Sequence, residues 1–248
     1  MGFFHYFFIG LMEGISKEYI LEENVYMKVN DKPYIILSAA MTIDGKIASK
    51  QGDTEISDDE DWKEVHKLRT KVDAIMVGKN TILIDNPKLH IKFYSHSGYY
   101  RIIVDSNLTI PINSNVITYQ PEIYPTIICT TEKVPIDKIN EYKSKNVNVI
   151  TSGDTKRVNI NFLLPKLYQM GIRSILLEGG GNLNWSFIKE NLVDEIRLTI
   201  APWIIGGEDA ITLVEGEGFL RMKDAPGYHL SKVKTRKNYL KLKYLKVK

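Results

Sequence analysis

The sequence predicts an α/β fold with a mostly parallel central sheet flanked by helices and antiparallel strands at its C-terminal edge. Three observations carry this. Continuous apolar runs of strand length recur along the chain, helical segments alternate with them, and β character persists after Val193 without an intervening helix. Strands covered on both faces read as unbroken apolar runs, as a parallel sheet between helices demands.

"PYIILSAAM" from Pro33 reads as a buried first strand, followed by the turn "DGK" at 44–46. "SDDEDWKEVHKLRTK" reads as a helix: Ser57 is placed to cap it, Glu60 stands three residues on as in a capping box, and acids precede bases along it. "DAIMVG" is the next buried strand, and "GKNTILIDNP" carries it into a short helical turn. "RIIVDS", "TIICTT" and "VNVIT" are three further strands, with a helical segment at Ile136–Lys143 between the last two. Residues 161–169 read as a helix closed by Gly171, "SILLE" as a strand, and residues 183–190 as another helix. "VDEIRLTIAPWII" resumes β character. The tail "YLKLKYLKV" alternates Leu and Lys, as an edge strand with one solvated face does, until its phase flips at Tyr244 and Leu245, which predicts a β-bulge. Residues 32–248 are expected to form one domain, with residues 1–31 an arm or extension.

The chain has 248 residues, 44% hydrophobic and 25% charged, enough for a sizeable core. Its net charge of +3 is unevenly placed: residues 232–248 hold eight Lys or Arg and no acid, so the remainder is net negative. The single cysteine, Cys129, permits no intrachain disulfide and no cysteine-based zinc site, and points to a reducing compartment, the cytoplasm. "MGFFHYFFIGLM" lacks the basic flank and cleavage site of a secretory signal and is shorter than a bilayer span. It is expected to pack on the protein body or a neighbouring subunit, and Met27 reads as an alternative start. No membrane association is expected. The histidines show no metal-ligand spacing and there is no G-x-S-x-G elbow, so no metal site and no hydrolase triad are expected.

"LLEGGGNLNW" places three glycines between a strand and a helix. Backbone N–H groups at such a junction can cradle a phosphate. No Gly-Lys-Ser/Thr follows, and Asn184 stands where a Rossmann fingerprint needs glycine. A tight, closely packed turn explains the glycines equally well. Thr81 and Asp85 follow a strand at the carboxyl end where ligands bind in open α/β sheets, although such residues also cap local turns. Arg69 can complement a helix dipole or bind phosphate in bidentate fashion, with Lys92 as a second charge.

In one order, "MTIDGKIA", "EIS…VHKLRTKVDAIMVGKNTILIDNPKL", "RIIVDS", "SILLEGGGNLNWSFIKENLVDEIRLTIAP" and "GEGF" resemble the reductase of riboflavin biosynthesis. The similarity is to archaeal stand-alone 2,5-diamino-6-ribosylamino-4(3H)-pyrimidinone 5′-phosphate reductases and to the C-terminal half of bacterial bifunctional deaminase-reductases. It implies a dihydrofolate-reductase-like fold, NADPH as hydride donor with NADH as the alternative, a phosphorylated pyrimidine substrate and a homodimer. It also implies that Ala39, Thr81, Asp85 and Ser106 contact the cofactor, with Gly179, Gly180, Gly181, Asn182 and Leu183 around its diphosphate. Asp53, Arg69, Leu89, Lys92 and Glu178 would meet the substrate, Arg69 and Lys92 at its phosphate and Glu178 at its amino groups. Asp44 or Lys46 would donate a proton, or else fix the "DGK" turn.

Two departures stand out. Ser38 occupies a position where bacterial relatives often carry Lys, so that lysine's role does not transfer. Lys92 stands where they commonly carry Arg, which keeps the charge and loses the fork. No zinc deaminase half is expected, since one cysteine cannot supply its ligands. Two rival readings remain: a same-fold reductase of a pterin-like substrate such as dihydrofolate, and a nucleic-acid-binding module using the basic tail. The modest overall charge argues against nucleic acid as a partner.

Overall fold

The computed structural model describes residues 32–154 and 156–247, so the expectations for the N-terminal arm lie outside the described residues. Nine strands form one sheet: β1 (Tyr34–Thr42), β2 (Ala74–Gly78), β3 (Tyr100–Val104), β4 (Thr126–Thr130), β5 (Asn148–Thr151), β6 (Ser174–Leu177), β7 (Glu195–Ala201), β8 (Tyr228–Arg236) and β9 (Tyr239–Lys246). Their spatial order is β5-β4-β3-β2-β6-β1-β7-β9-β8. The pairs from β5 through β7 are parallel, and β9 pairs antiparallel with both β7 and β8. The order runs outward in both directions from β6 and β1, which lie side by side, as in an open sheet whose helices cover both faces.

Alternation along the strands divides the core. Ile36, Ile75, Val77, Ile103, Ile128 and Leu176 face one side, covered by helices α1 (Asp59–Arg69), α2 (Lys79–Asp85), α3 (Asn115–Thr118) and α4 (Ile136–Lys143). Ile35, Leu37, Met76, Ile102, Ile127 and Leu177 face the other, covered by α5 (Ile160–Gln169) and α6 (Gly181–Ile188). The sheet is thus sandwiched, which is why its strands read as continuous apolar runs.

Four local expectations are corrected. The N-cap of α1 is Asp58 rather than Ser57, its carboxylate accepting from the Asp61 N–H at 3.1 Å, and Glu60 closes no capping box. Helix α6 begins at Gly181, two residues before its expected start, so the third glycine is already helical. The tail strand β9 is not the edge, because the more polar β8 lies outside it. The irregularity in that pair falls in β8, between Leu230 and Lys232, opposite Tyr244 and Lys243.

The basic tail is folded onto acidic α1. Arg236 lies 2.5 Å from Asp58 and 3.5 Å from Glu60, and Lys241 lies 2.9 Å from Asp61 and 2.6 Å from Glu64. Part of the charge asymmetry is thereby neutralised within the molecule.

Candidate active site

The carboxyl ends of β1, β2, β3, β6 and β7 open onto a cavity of about 790 Å³. Its floor is β1, where Ser38, Ala39 and Ala40 replace the large side chains found earlier in the strand and leave room above the backbone. On one side stands α1, presenting Asp61, Val65 and Arg69 at intervals of four residues, so that all three share one face. On the other side lies the glycine turn.

Arg69 and Glu178 are each other's partner. Nε and Nη2 of Arg69 donate to the two carboxylate oxygens at 2.8 and 2.7 Å, and Nη1 donates to the His90 carbonyl at 3.2 Å. Burial works against the Arg69 charge, but the adjacent Glu178 outweighs it and the pKa rises. The same helix fixes the following loop: His66 Nδ1 accepts the Lys92 N–H at 3.2 Å. Burial, with Arg69 and Lys92 nearby, lowers the His66 pKa to about 4, so the ring is neutral and its Nδ1 lone pair is available. Arg101, fully buried, reinforces the loop by donating to the carbonyls of Lys88 and Tyr119 at 3.1 and 3.0 Å and to that of Tyr124.

The glycine turn is shaped by two neighbours. The Gly78 N–H donates to the Gly179 carbonyl at 2.9 Å, which holds the turn against the end of β2. A Cβ on Gly181 would stand 2.4 Å from Glu215 Cγ and 2.5 Å from the Thr212 carbonyl, so packing requires glycine there. A Cβ on Gly180 would meet nothing within 4 Å and would project into space beside the cavity that this residue lines. The N–H groups of Gly181 and Asn182, at the start of α6, have no acceptor among the described residues. Open space, free N–H groups and a helix N-terminus together fit a diphosphate. Packing thus accounts for Gly181, while Gly180 keeps the room that an anion would need.

The cavity gathers Ala39, Thr81, Asp85, Ser106, Gly180, Gly181, Asn182, Leu183, Arg69, Leu89 and Glu178. Desolvation raises the Asp85 carboxyl, and Ser106 Oγ accepts the Val158 N–H at 3.2 Å. Gly179 and Asp53 sit next to lining residues without forming the wall themselves, and Lys92, three residues beyond Leu89, lies outside the lining. Asp44 and Lys46 are not brought into it. Asp44 accepts from Thr42 Oγ1 at 2.5 Å and from the Ile205 and Gly206 N–H groups at 3.3 and 2.7 Å. These bonds, that from Thr42 foremost, hold its pKa near about 2. Lys46 Nζ donates to the Ala210 carbonyl at 3.0 Å. Both residues fix the turn and its neighbouring loop in this geometry.

Sequence reasoning missed Asp61 and Thr199, which line the wall, and Lys79, Lys156 and Arg157, cationic residues that also line the cavity. The signal for Asp61 was present: it is a charge within the apolar stripe of α1. Among the described residues there is no cluster able to hold a metal and no helix long and apolar enough to cross a membrane.

A parallel sheet with a crevice at its strand ends, an anion-fitting helix start and a buried Arg–carboxylate pair define the ligand-binding type of α/β domain, here of dihydrofolate-reductase-like fold. Within that class, the chain belongs to the RibD C-terminal domain family, which it matches over residues 33–240. It is similar to the 2,5-diamino-6-ribosylamino-4(3H)-pyrimidinone 5′-phosphate reductase of Methanothermobacter thermautotrophicus, with 45% identity over 197 residues covering 78% of this chain and 89% of the relative. A protein of the same name from Aquifex aeolicus is 39% identical over 199 residues, covering 78% and 88%. Among solved structures, the fold is shared with a Thermotoga maritima diaminohydroxyphosphoribosylaminopyrimidine deaminase/5-amino-6-(5-phosphoribosylamino)uracil reductase. That TM-score is 0.72 at 22% identity, over 90% of this chain and 59% of the other.

Proposed function

We propose that the chain reduces the ribosylamino side chain of 2,5-diamino-6-ribosylamino-4(3H)-pyrimidinone 5′-phosphate to the ribitylamino product of riboflavin biosynthesis, using NADPH. The observation that carries this reading is the cavity itself, in which the Arg69–Glu178 pair faces a helix start fitted for a diphosphate. The 45% identity to a reductase of that name supports the substrate.

When bound, NADPH would supply the hydride that C1′ of the opened, imine-like sugar receives, the imine nitrogen taking its proton from water. The chain's own residues position the partners, and positioning is where most of the catalysis is expected. Gly180, Gly181, Asn182 and Leu183 hold the diphosphate, with Gly179 setting the turn. Ala39, Thr81, Asp85 and Ser106 line the nucleotide's path toward β3. Arg69 and Lys92 attract the substrate phosphate, Leu89 packs beside it, and Asp53 stands at the rim. Glu178, held in place by Arg69, accepts from an amino group of the ring. Asp44 and Lys46 serve the reaction only by holding their turn.

The protein acts in the cytoplasm, and β8 joins two copies into a homodimer through Leu230 and Val233, both about half exposed on the outermost strand. Light scattering on the purified protein checks the dimer. The activity is tested by incubating protein, NADPH and the ribosylamino substrate and following loss of the reduced-nicotinamide absorbance. Oxidation dependent on the substrate is expected. Folded protein that oxidises no NADPH with this substrate, yet does so with dihydrofolate, overturns the reading.

A further inference from the structure

A second carboxylate lines the cavity. Asp61, the third residue of α1, is 4% exposed. Its Oδ1 accepts from Thr199 Oγ1 at 2.8 Å and lies 2.9 Å from Lys241 Nζ. Its Oδ2 has no hydrogen-bond partner among the described residues, and it is not among the fully buried unpaired atoms. Burying a carboxylate is costly unless its oxygens are satisfied, so an open oxygen at a cavity wall is a place for a donor from a ligand.

Asp61 and Glu178 stand at opposite ends of the α1 side of the cavity. Asp61 precedes Arg69, the partner of Glu178, by eight residues, or about 12 Å of helix. Thr199 on β7 and Glu178 beyond β6 flank β1, a separation of about 10 Å at two strand spacings. A six-membered ring with amino groups at opposite corners, hydrogen-bonded at both ends, spans about 11 Å. Positions 2 and 5 of a pyrimidine are such corners. The ribosyl phosphate leaves from position 6, beside position 5, so directing it to Arg69 and Lys92 puts the 5-amino group at Glu178 and turns position 2 toward Asp61.

We infer that Asp61 determines which pyrimidine the site accepts, its Oδ2 taking a hydrogen bond from a 2-amino group and rejecting a 2-oxo group. The inference rests on the substrate class proposed above. A uracil presents a carbonyl oxygen at position 2, and two acceptors would then face each other with no proton between them. Sites built around a substrate's donor discriminate strongly against an analogue lacking it. Ser38 and Ala40, small side chains of the floor, leave space for the ring between the two carboxylates.

The test compares the diaminopyrimidinone substrate with 5-amino-6-(5-phosphoribosylamino)uracil in the full-length protein and in Asp61→Asn. The protein should favour the diamino compound in kcat/KM by about 100-fold or more. Asn can turn its amide NH₂ toward a carbonyl, so D61N should erase most of that preference, while NADPH affinity measured by fluorescence stays within about twofold. Equal use of both substrates by the unmodified protein overturns the inference and leaves the proposed activity intact, as does an equal loss for both in D61N. If D61N does not fold, calorimetry of the two ribityl products with the unmodified protein decides: equal affinities overturn the inference. A folded protein that reduces neither substrate overturns the proposed activity, and the inference with it.

Discussion

Arg69 sits with three of its N–H groups committed, two to Glu178 and one to the His90 carbonyl, so its first task is to hold a carboxylate and a loop in place. Removing one partner of a buried ion pair leaves the other uncompensated. Arg69→Ala should therefore destabilise the protein by about 3 kcal/mol in chemical denaturation, and also raise KM for the phosphorylated substrate more than it changes NADPH affinity. Arg69→Lys keeps the charge without the fork and should recover only part of either loss. His66 makes a pH prediction. Its folded pKa, about 4, lies below the ordinary 6.5, so the unfolded chain binds more protons between those values. Its contribution to stability is complete above pH 6.5 and is lost as pH falls toward 4. Thermal midpoints of the unmodified protein should fall across that window more steeply than those of His66→Gln. At this scale the sequence was least legible. Ser57 and Asp58 are both good caps and only the backbone path chooses between them. Asp61 falls in line with Val65 and Leu68 on α1, which hints at burial, but nothing local reveals that Thr199 and Lys241 will close over it.

The glycine turn shows how one element divides its work. Gly181→Ala drives a methyl into Glu215 and the Thr212 carbonyl, so a lower thermal midpoint, corresponding to about 1–3 kcal/mol, is expected. Gly180 has φ −70°, which any residue adopts, and nothing near its missing Cβ. Gly180→Ala should leave the midpoint nearly unchanged and weaken NADPH binding, measured by fluorescence, by about tenfold, since about 1.4 kcal/mol of contact is displaced. The central strands of the parallel part were legible because they are buried on both faces and read as apolar runs. β8 was not, because "YHLSKVKTR" is exposed along most of its length and carries no such run. The order of the strands also lay beyond the sequence, since pairing β6 with both β1 and β2 depends on contacts a hundred and more residues apart.

Across the whole molecule, the basic tail is spent on internal partners. Arg236 and Lys241 meet the acids of α1, so the charge that could recommend a nucleic-acid surface is partly neutralised. Filter binding to duplex DNA and RNA should show no association that weakens steeply with salt. The class of fold was readable from alternation of apolar runs and helices, and the family from motifs in a fixed order. The dovetailing of tail and helix was not, because opposite charges 178 positions apart in sequence carry no mark of being neighbours.

The placement of β9 sets a timetable for assembly. Residues 239–246 are translated after every residue that lines the cavity, yet they slot between β7 and β8, and Lys241 supplies the counter-charge behind Asp61. The Asp61 end of the cavity can take its final form only when this stretch has left the ribosome. A nascent chain arrested before Tyr239 would carry the glycine turn and its helix but an unbraced Asp61, and should be able to retain NADPH before it can choose among pyrimidines.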